Sequence, residues 1–296
     1  MDHNSDDVNF RAPFLGLIAG TFLLGLTMVK AWQYFLHYPG DSRKKKVTVC
    51  AVCLLDFLHF GFSVTMTYSS LTSSKKCADP KVLWSWKAMV IAKALLTILV
   101  QGFYLQIVWV LAGSIVMRTI YRAFSISVLT YAIGLVVAFC TYLREVSRIS
   151  SFPKSFEIFI YIGFVSTAII DCCIAILMSV VLFQNGAGTT KRGKKIITCL
   201  VIFFGGTGAL TAIFAVTSMS LYTASKSSLL YLATELWVSR IYAISILTLF
   251  NSKSYFKKAL EGTVEISIPS ALVFPNRTQE DDGRQTSLSH TPASGC

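Results

Sequence analysis

Charge is scarce in this chain. Asp, Glu, Lys and Arg make up 14% of its 296 residues, against about 25% in an average soluble domain. Hydrophobic residues make up 54% and the mean hydropathy is +0.60, so the balance favours a bilayer solvent over water. Histidine is scarcer still, with four in all. A metallohydrolase or di-iron membrane enzyme needs clustered His, so no metal site and no cofactor are expected. The net charge of +12 would suit nucleic acid, but no basic stretch is interleaved with aromatics, and no nucleic-acid partner is expected. Segments of about ten alternating apolar and polar residues are missing, which excludes a β-barrel. The eight cysteines form no framework. Cys50, Cys53, Cys140, Cys172, Cys173 and Cys199 fall in apolar segments, where Cys is a small packing residue. Cys50 and Cys53 make a C-x-x-C spacing with neither a second pair nor a nearby His, too little for a metal site. Cys77 lies in a loop and is either a free thiol or, as the one candidate for a disulfide, the mate of Cys140. No cleavable leader is expected: the first apolar stretch is too long and follows Asp2, Asp6 and Asp7 in place of basic residues.

What the chain has in quantity is long apolar runs. A helix needs about 20 apolar residues to cross about 30 Å of hydrocarbon. Seven stretches qualify: Pro13 to His37, Val47 to Ser69, Val82 to Ala112, Phe124 to Tyr142, Phe159 to Phe183, Ile196 to Met219 and Leu229 to Phe250. The first ends in an aromatic belt of Trp32, Tyr34 and Phe35. The third and fifth are longer than the bilayer requires, which implies tilt or an extension into water. The expected fold is an all-α bundle of about seven transmembrane helices over 13–253, with the lipid bilayer as its first partner. Short connections make consecutive helices antiparallel neighbours, and there is no internal repeat.

Lys and Arg beside the spans set the orientation. Arg43, Lys44, Lys45, Lys46, Arg118, Arg122, Lys191, Arg192, Lys194, Lys195, Lys253, Lys257 and Lys258 total thirteen on one side. Arg11, Lys75, Lys76, Lys81, Arg144, Arg148, Lys154 and Lys226 total eight on the other. The N-terminal tail, 1–12, is therefore expected outside and the C-terminus in the cytoplasm. Residues 254–261 alternate Tyr255, Phe256 and Leu260 with Lys257 and Lys258, which suits a short amphipathic helix on an anionic leaflet. From Gly262 to Cys296 the composition turns to Ser, Thr and Pro with an acidic run at Glu280, Asp281 and Asp282, a disordered tail by composition.

Ionisable residues inside hydrocarbon are costly, so they face the bundle interior and find partners. Asp56 and His59 stand at i, i+3 in the second span, continued by Ser63 and Thr67 on one face. Lys93, Thr97, Gln101 and Tyr104 follow helical spacing in the third, and Asp171 lies in the fifth with Thr167 a turn earlier. Glu235, Ser239 and Tyr242 share a stripe in the seventh, with Arg240 turned from Glu235 by about 140° at 100° per residue. Asp56, His59, Lys93, Gln101, Asp171, Glu235, Arg240 and Tyr242 are the candidate polar-core or ligand-binding residues. They either line a cavity for a ligand, ion or proton, or pair internally and fix helix packing. Asp56 with His59 is two-thirds of a catalytic triad in residue type, but no Ser in a nucleophile-elbow context accompanies them, and the chain is not expected to be an enzyme.

Seven spans invite comparison with known seven-helix proteins. A retinal protein needs a Lys in the middle of the seventh helix, and here Lys226 lies at its outer edge. A rhodopsin-class receptor would show an acidic-Arg-aromatic triplet after the third span and Asn-Pro-x-x-Tyr in the seventh; neither is present. Four other stretches carry a likeness. They are Gly20 to Tyr38 with Tyr38-Pro39 before Asp41 to Lys46, Leu54 to His59, Val100 to Tyr104 through Trp109 together with Asp171, and Ile241 to Ser245 through Asn251. In these the chain resembles a fungal, largely basidiomycete, family of seven-helix membrane proteins known only as domain of unknown function 6534. The family's basic pair after the third-span motif is absent here, and Ile244 stands where Asn is usual. The resemblance implies a seven-helix bundle of fungal membrane origin and supplies no activity. The expectation is a receptor-like or sensory protein with an unknown small-molecule ligand in its core and a cytoplasmic partner reached through the basic loops and tail. The alternatives are a proton-coupled carrier and a structural protein without ligand.

Overall fold

Backbone N–H and C=O groups in hydrocarbon must be satisfied within the segment, and the α-helix does this alone. Proline would interrupt it. None of the seven prolines falls in the interior of a span: Pro13 sits in the first turn of the first helix and Pro80 opens the third, where the missing N–H costs nothing. The computed structural model describes residues 11–72, 80–111, 115–143, 154–186, 191–224 and 229–252. Among these it is all-helical, with α1 Arg11–His37, α2 Arg43–Thr72, α3 Pro80–Leu111, α4 Ile115–Leu143, α5 Lys154–Gly186, α6 Lys191–Ala224 and α7 Leu230–Asn251. All seven are long and apolar enough to cross a membrane, the architecture of a multi-pass membrane protein. The expected tail at 1–12 (but for its last two residues), the amphipathic segment at 254–261 and the tail at 262–296 lie outside the described residues.

The helices extend beyond the apolar runs that mark them. α4 starts at Ile115, nine residues before the expected Phe124, because Arg118 and Arg122 interrupt the hydropathy but not the helix. The Arg122 guanidinium lies 4.9 Å from the centre of the Trp109 ring, a cation–π contact that joins this extension to the end of α3. α2 and α6 likewise begin within their basic runs, at Arg43 and Lys191.

Sequence neighbours touch in a closed ring from α1 to α7, and α7 returns to pack along α1. α3 also contacts α5 and α7, and α2 contacts α7, so α3 and α7 hold the interior. Tyr231, Leu232, Leu236, Tyr242, Ile246 and Phe250 of α7 are all buried, whereas α4 shows large apolar side chains such as Ile126 and Val137 at its surface. Leu15, Phe22, Trp32, Leu54, Ile176 and Ile202 are likewise exposed. Apolar surface on this scale is the face a protein turns to lipid. At one end the ring is tied by side chains. Tyr38 donates from its hydroxyl to the Asn251 carbonyl at 3.1 Å, and Asn251 Nδ2 donates to the Lys30 carbonyl at 2.8 Å. The Tyr38-Pro39 turn and the end of α7 are thereby brought together.

Candidate functional site

The polar face of α2 turns inward. Asp56, His59, Ser63 and Thr67 are all buried, and Ser63 returns its hydroxyl to the His59 carbonyl at 2.6 Å. Opposite them α7 presents Arg240, 1% exposed, whose guanidinium forms an ion pair with the Asp56 carboxylate. The same Nη1 lies 3.3 Å from the Asp56 carbonyl and 3.3 Å from His59 Nδ1, and the guanidinium stands 5.5 Å from the centre of the Phe60 ring. A second ion pair, Lys93 with Glu235, joins α3 to α7. Glu235 and Arg240 thus serve different helices, as their angular separation on α7 requires.

Among the described residues Asp171 on α5 forms no ion pair. Gln101 Nε2 donates to its Oδ1 at 2.9 Å, and the Tyr242 hydroxyl donates to its Oδ2. Beside them the Tyr104 and Ser245 hydroxyls meet at 2.7 Å, and Ser245 donates to the Tyr242 carbonyl at 2.9 Å. The eight candidate residues therefore fall into three groups, all anchored on α7: Asp56, His59 and Arg240; Lys93 and Glu235; Gln101, Asp171 and Tyr242.

A cavity of about 230 Å³ lies between α3, α4, α5 and α7. His59, Lys93, Gln101, Glu235 and Tyr242 are at its wall; Asp56, Arg240 and Asp171 are not. The rest of the wall is mostly apolar and aromatic, including Trp86, Phe139, Phe159 and Phe164. Apolar walls with a few convergent polar groups are the usual make-up of a small-molecule site, although most such sites are larger, about 300–1,000 Å³.

The chemistry of His59 follows from its partners. An Arg N–H can only donate, so the 3.3 Å contact from Arg240 makes Nδ1 an acceptor. A neutral ring that accepts from Arg240 on Nδ1 would carry its proton on Nε2, which faces Ser239 Oγ at 3.2 Å. Ser239 in turn donates towards the Glu235 carbonyl at 3.4 Å. Ser239 Oγ also lies 3.4 Å from Nδ1, so the serine faces both ring nitrogens. Among the described residues no group of three or more His, Cys, Asp or Glu could hold a metal ion.

Cys140 is half-buried on α4, and its expected mate Cys77 lies outside the described residues. Sequence reasoning overlooked Thr207, Gly208 and Thr211 of α6, which stand beside Asp171 and Tyr242. α6 carries no ionisable residue in its apolar run, so nothing marked it; the i, i+4 spacing of Thr207 and Thr211 was the available signal.

A family model described as a family of unknown function, DUF6534, matches residues 167–255. The matched stretch runs from the middle of α5 through α7 and contains Asp171, Glu235, Arg240, Tyr242 and Asn251. The other motifs of the resemblance, around Tyr38, Leu54 to His59 and Val100 to Trp109, precede it. No curated protein and no solved structure matches the chain.

Proposed function

We propose that the chain is a receptor-like or sensory membrane protein that binds a compact, largely apolar ligand in the core of its helix bundle. The observation that carries this reading is the cavity of about 230 Å³, apolar over most of its wall, with Lys93, Glu235, Gln101, His59 and Tyr242 as its polar groups. The two charges at the wall are already paired with each other, so the polar end of the ligand is uncharged or exchanges with that pair. No catalytic step belongs to this reading.

The test is a screen of small apolar alcohols, ketones, acids and amines for a rise in melting temperature of the purified protein. A ligand at 100 times its dissociation constant adds about 2.7 kcal/mol of stability, readily seen as a shift. Ala132→Phe, at a buried position in the cavity wall, is expected to abolish the shift. A hit that binds the variant equally would place the ligand elsewhere.

A proton-coupled carrier draws on one specific contact: His59 reaches from the cavity wall to the Asp56–Arg240 pair behind it. Uptake into proteoliposomes with and without a pH gradient separates the two readings. Gradient-driven accumulation of the ligand identifies a carrier; saturable binding without uptake supports the receptor-like reading.

A further inference from the structure

A second, smaller cavity of about 30 Å³ lies where α3, α5, α6 and α7 meet. One water-sized particle needs about 10–15 Å³ measured in this way, so the space holds one or two. Its polar side chains are Asp171, Tyr104, Thr207, Thr211, Tyr242 and Ser245. All six contribute oxygen and none contributes nitrogen.

The hydroxyl protons of these groups are committed. Thr207 donates to the Phe204 carbonyl at 3.1 Å, and the Thr211 hydroxyl is shared between the Gly208 carbonyl at 3.0 Å and the Asp171 carboxylate. Ser245 donates to the Tyr242 carbonyl, so the proton between Tyr104 and Ser245 belongs to Tyr104. Tyr242 spends its proton on Asp171. What faces the cavity is therefore a set of lone pairs around a carboxylate.

The charge is also unbalanced. Asp171 is 7% exposed, and its hydrogen bonds, from Gln101, Tyr242 and Thr211, all come from neutral groups. Among the described residues Arg240 is paired with Asp56, and Lys93, the cation within electrostatic reach of Asp171, is paired with Glu235. A carboxylate left uncompensated in hydrocarbon is costly. A water molecule would satisfy lone pairs without supplying charge. A divalent ion would leave an excess positive charge on a single carboxylate, and Ca²⁺ commonly takes 6–8 oxygen ligands. The space admits no organic ammonium ion larger than one or two water molecules.

We propose that this cavity binds a small monovalent metal cation, with Asp171 as its counter-ion and the hydroxyl oxygens of Thr207, Thr211 and Ser245 as neutral ligands. The site is separate from the larger ligand cavity, though Tyr242 and Thr211 stand at the wall of both.

The experiment melts the purified full chain in nanodiscs at pH 7.5 and constant ionic strength while sodium chloride replaces choline chloride. At ten times the dissociation constant, sodium is expected to raise the melting temperature by about 3–6 °C. Asp171→Asn is expected to lose the shift. Should that variant not fold, Thr207→Val keeps every bond to Asp171 and removes one oxygen ligand. It is expected to raise the half-saturating sodium concentration about tenfold. A wild-type protein that melts identically in sodium and choline overturns the proposal, as does a sodium shift of unchanged size and midpoint in both variants. A proton on Asp171 would then be what neutralises it.

Discussion

Removing one half of a buried ion pair strands the other half in hydrocarbon, so the cost depends on what remains. At Asp56 and Arg240, 0% and 1% exposed, nothing else can neutralise the survivor. Asp56→Leu is expected to cost about 3–5 kcal/mol, and adding Arg240→Met is expected to recover most of it, because an apolar pair of similar volume has no charge to desolvate. Lys93 and Glu235 differ in one respect: their side chains remain 22% and 14% exposed, at the wall of the larger cavity. A charge left there can still be solvated, and Glu235→Gln is expected to cost nearer 1 kcal/mol, the upper range of exposed pairs. Melting of the three variants in nanodiscs checks the order. If Glu235→Gln is as damaging as Asp56→Leu, burial is not what separates the two pairs.

Helix contacts in a bilayer depend on close approach, since lipid is as apolar as leucine. Two glycines allow such approach. A Cβ added at Gly16 of α1 would stand 2.8 Å from the Ala233 Cα of α7, and one at Gly208 of α6 would stand 2.8 Å from the Ala175 Cβ of α5. The Gly16 carbonyl also accepts from Trp237 Nε1 at 3.1 Å, so separating the helices breaks that bond as well. Gly16→Ala and Gly208→Ala are each expected to cost about 1–3 kcal/mol. Gly25→Ala has nothing within 4 Å and is expected to be neutral or to stabilise by up to about 1 kcal/mol. Equal melting of all three variants would show that α1–α7 and α5–α6 are not set by these contacts. The helices themselves were legible in the sequence because hydropathy reports transfer into lipid, one residue at a time. Their ends were not: α4 runs back through Arg118 because a charged residue lowers the hydropathy without breaking a helix. The inward stripes on α2, α3 and α7 were legible for the same reason of cost, since each carries a charge. Which charge meets which was not, because pairing depends on how helices distant in sequence are rotated against each other. Asp56 and Arg240 are 184 residues apart, and no spacing along one helix encodes that contact. α6 was silent, its contribution to the site being hydroxyls and a glycine.

For the whole molecule the open variable is orientation, and one short motif tests it. Asn276-Arg277-Thr278, outside the described residues, is the single N-x-Ser/Thr sequence in the chain; Asn4, Asn9, Asn185 and Asn251 lack the hydroxyl residue at the required position. Glycosylation requires exposure to the secretory lumen. Among the described residues the helices fit to span a membrane number seven, and with that odd number the two ends of the bundle are expected on opposite faces. The thirteen Lys and Arg on the α1–α2, α3–α4 and α5–α6 sides and the start of the tail outnumber the eight on the opposite face, and the richer face stays in the cytoplasm. On that orientation Asn276 is expected to stay away from the transferase. The expected outcome is no mobility change on endoglycosidase treatment of protein made in a eukaryotic host. A second sequon, engineered near Asp7 with a spacer to hold it clear of the membrane, is expected to be modified in the same preparation and to lose its glycan on treatment. Modification at Asn276 with none near Asp7 would invert the bundle. The basic helix starts at Arg43 and Lys191 would then face the lumen, and a cytoplasmic partner could not reach them.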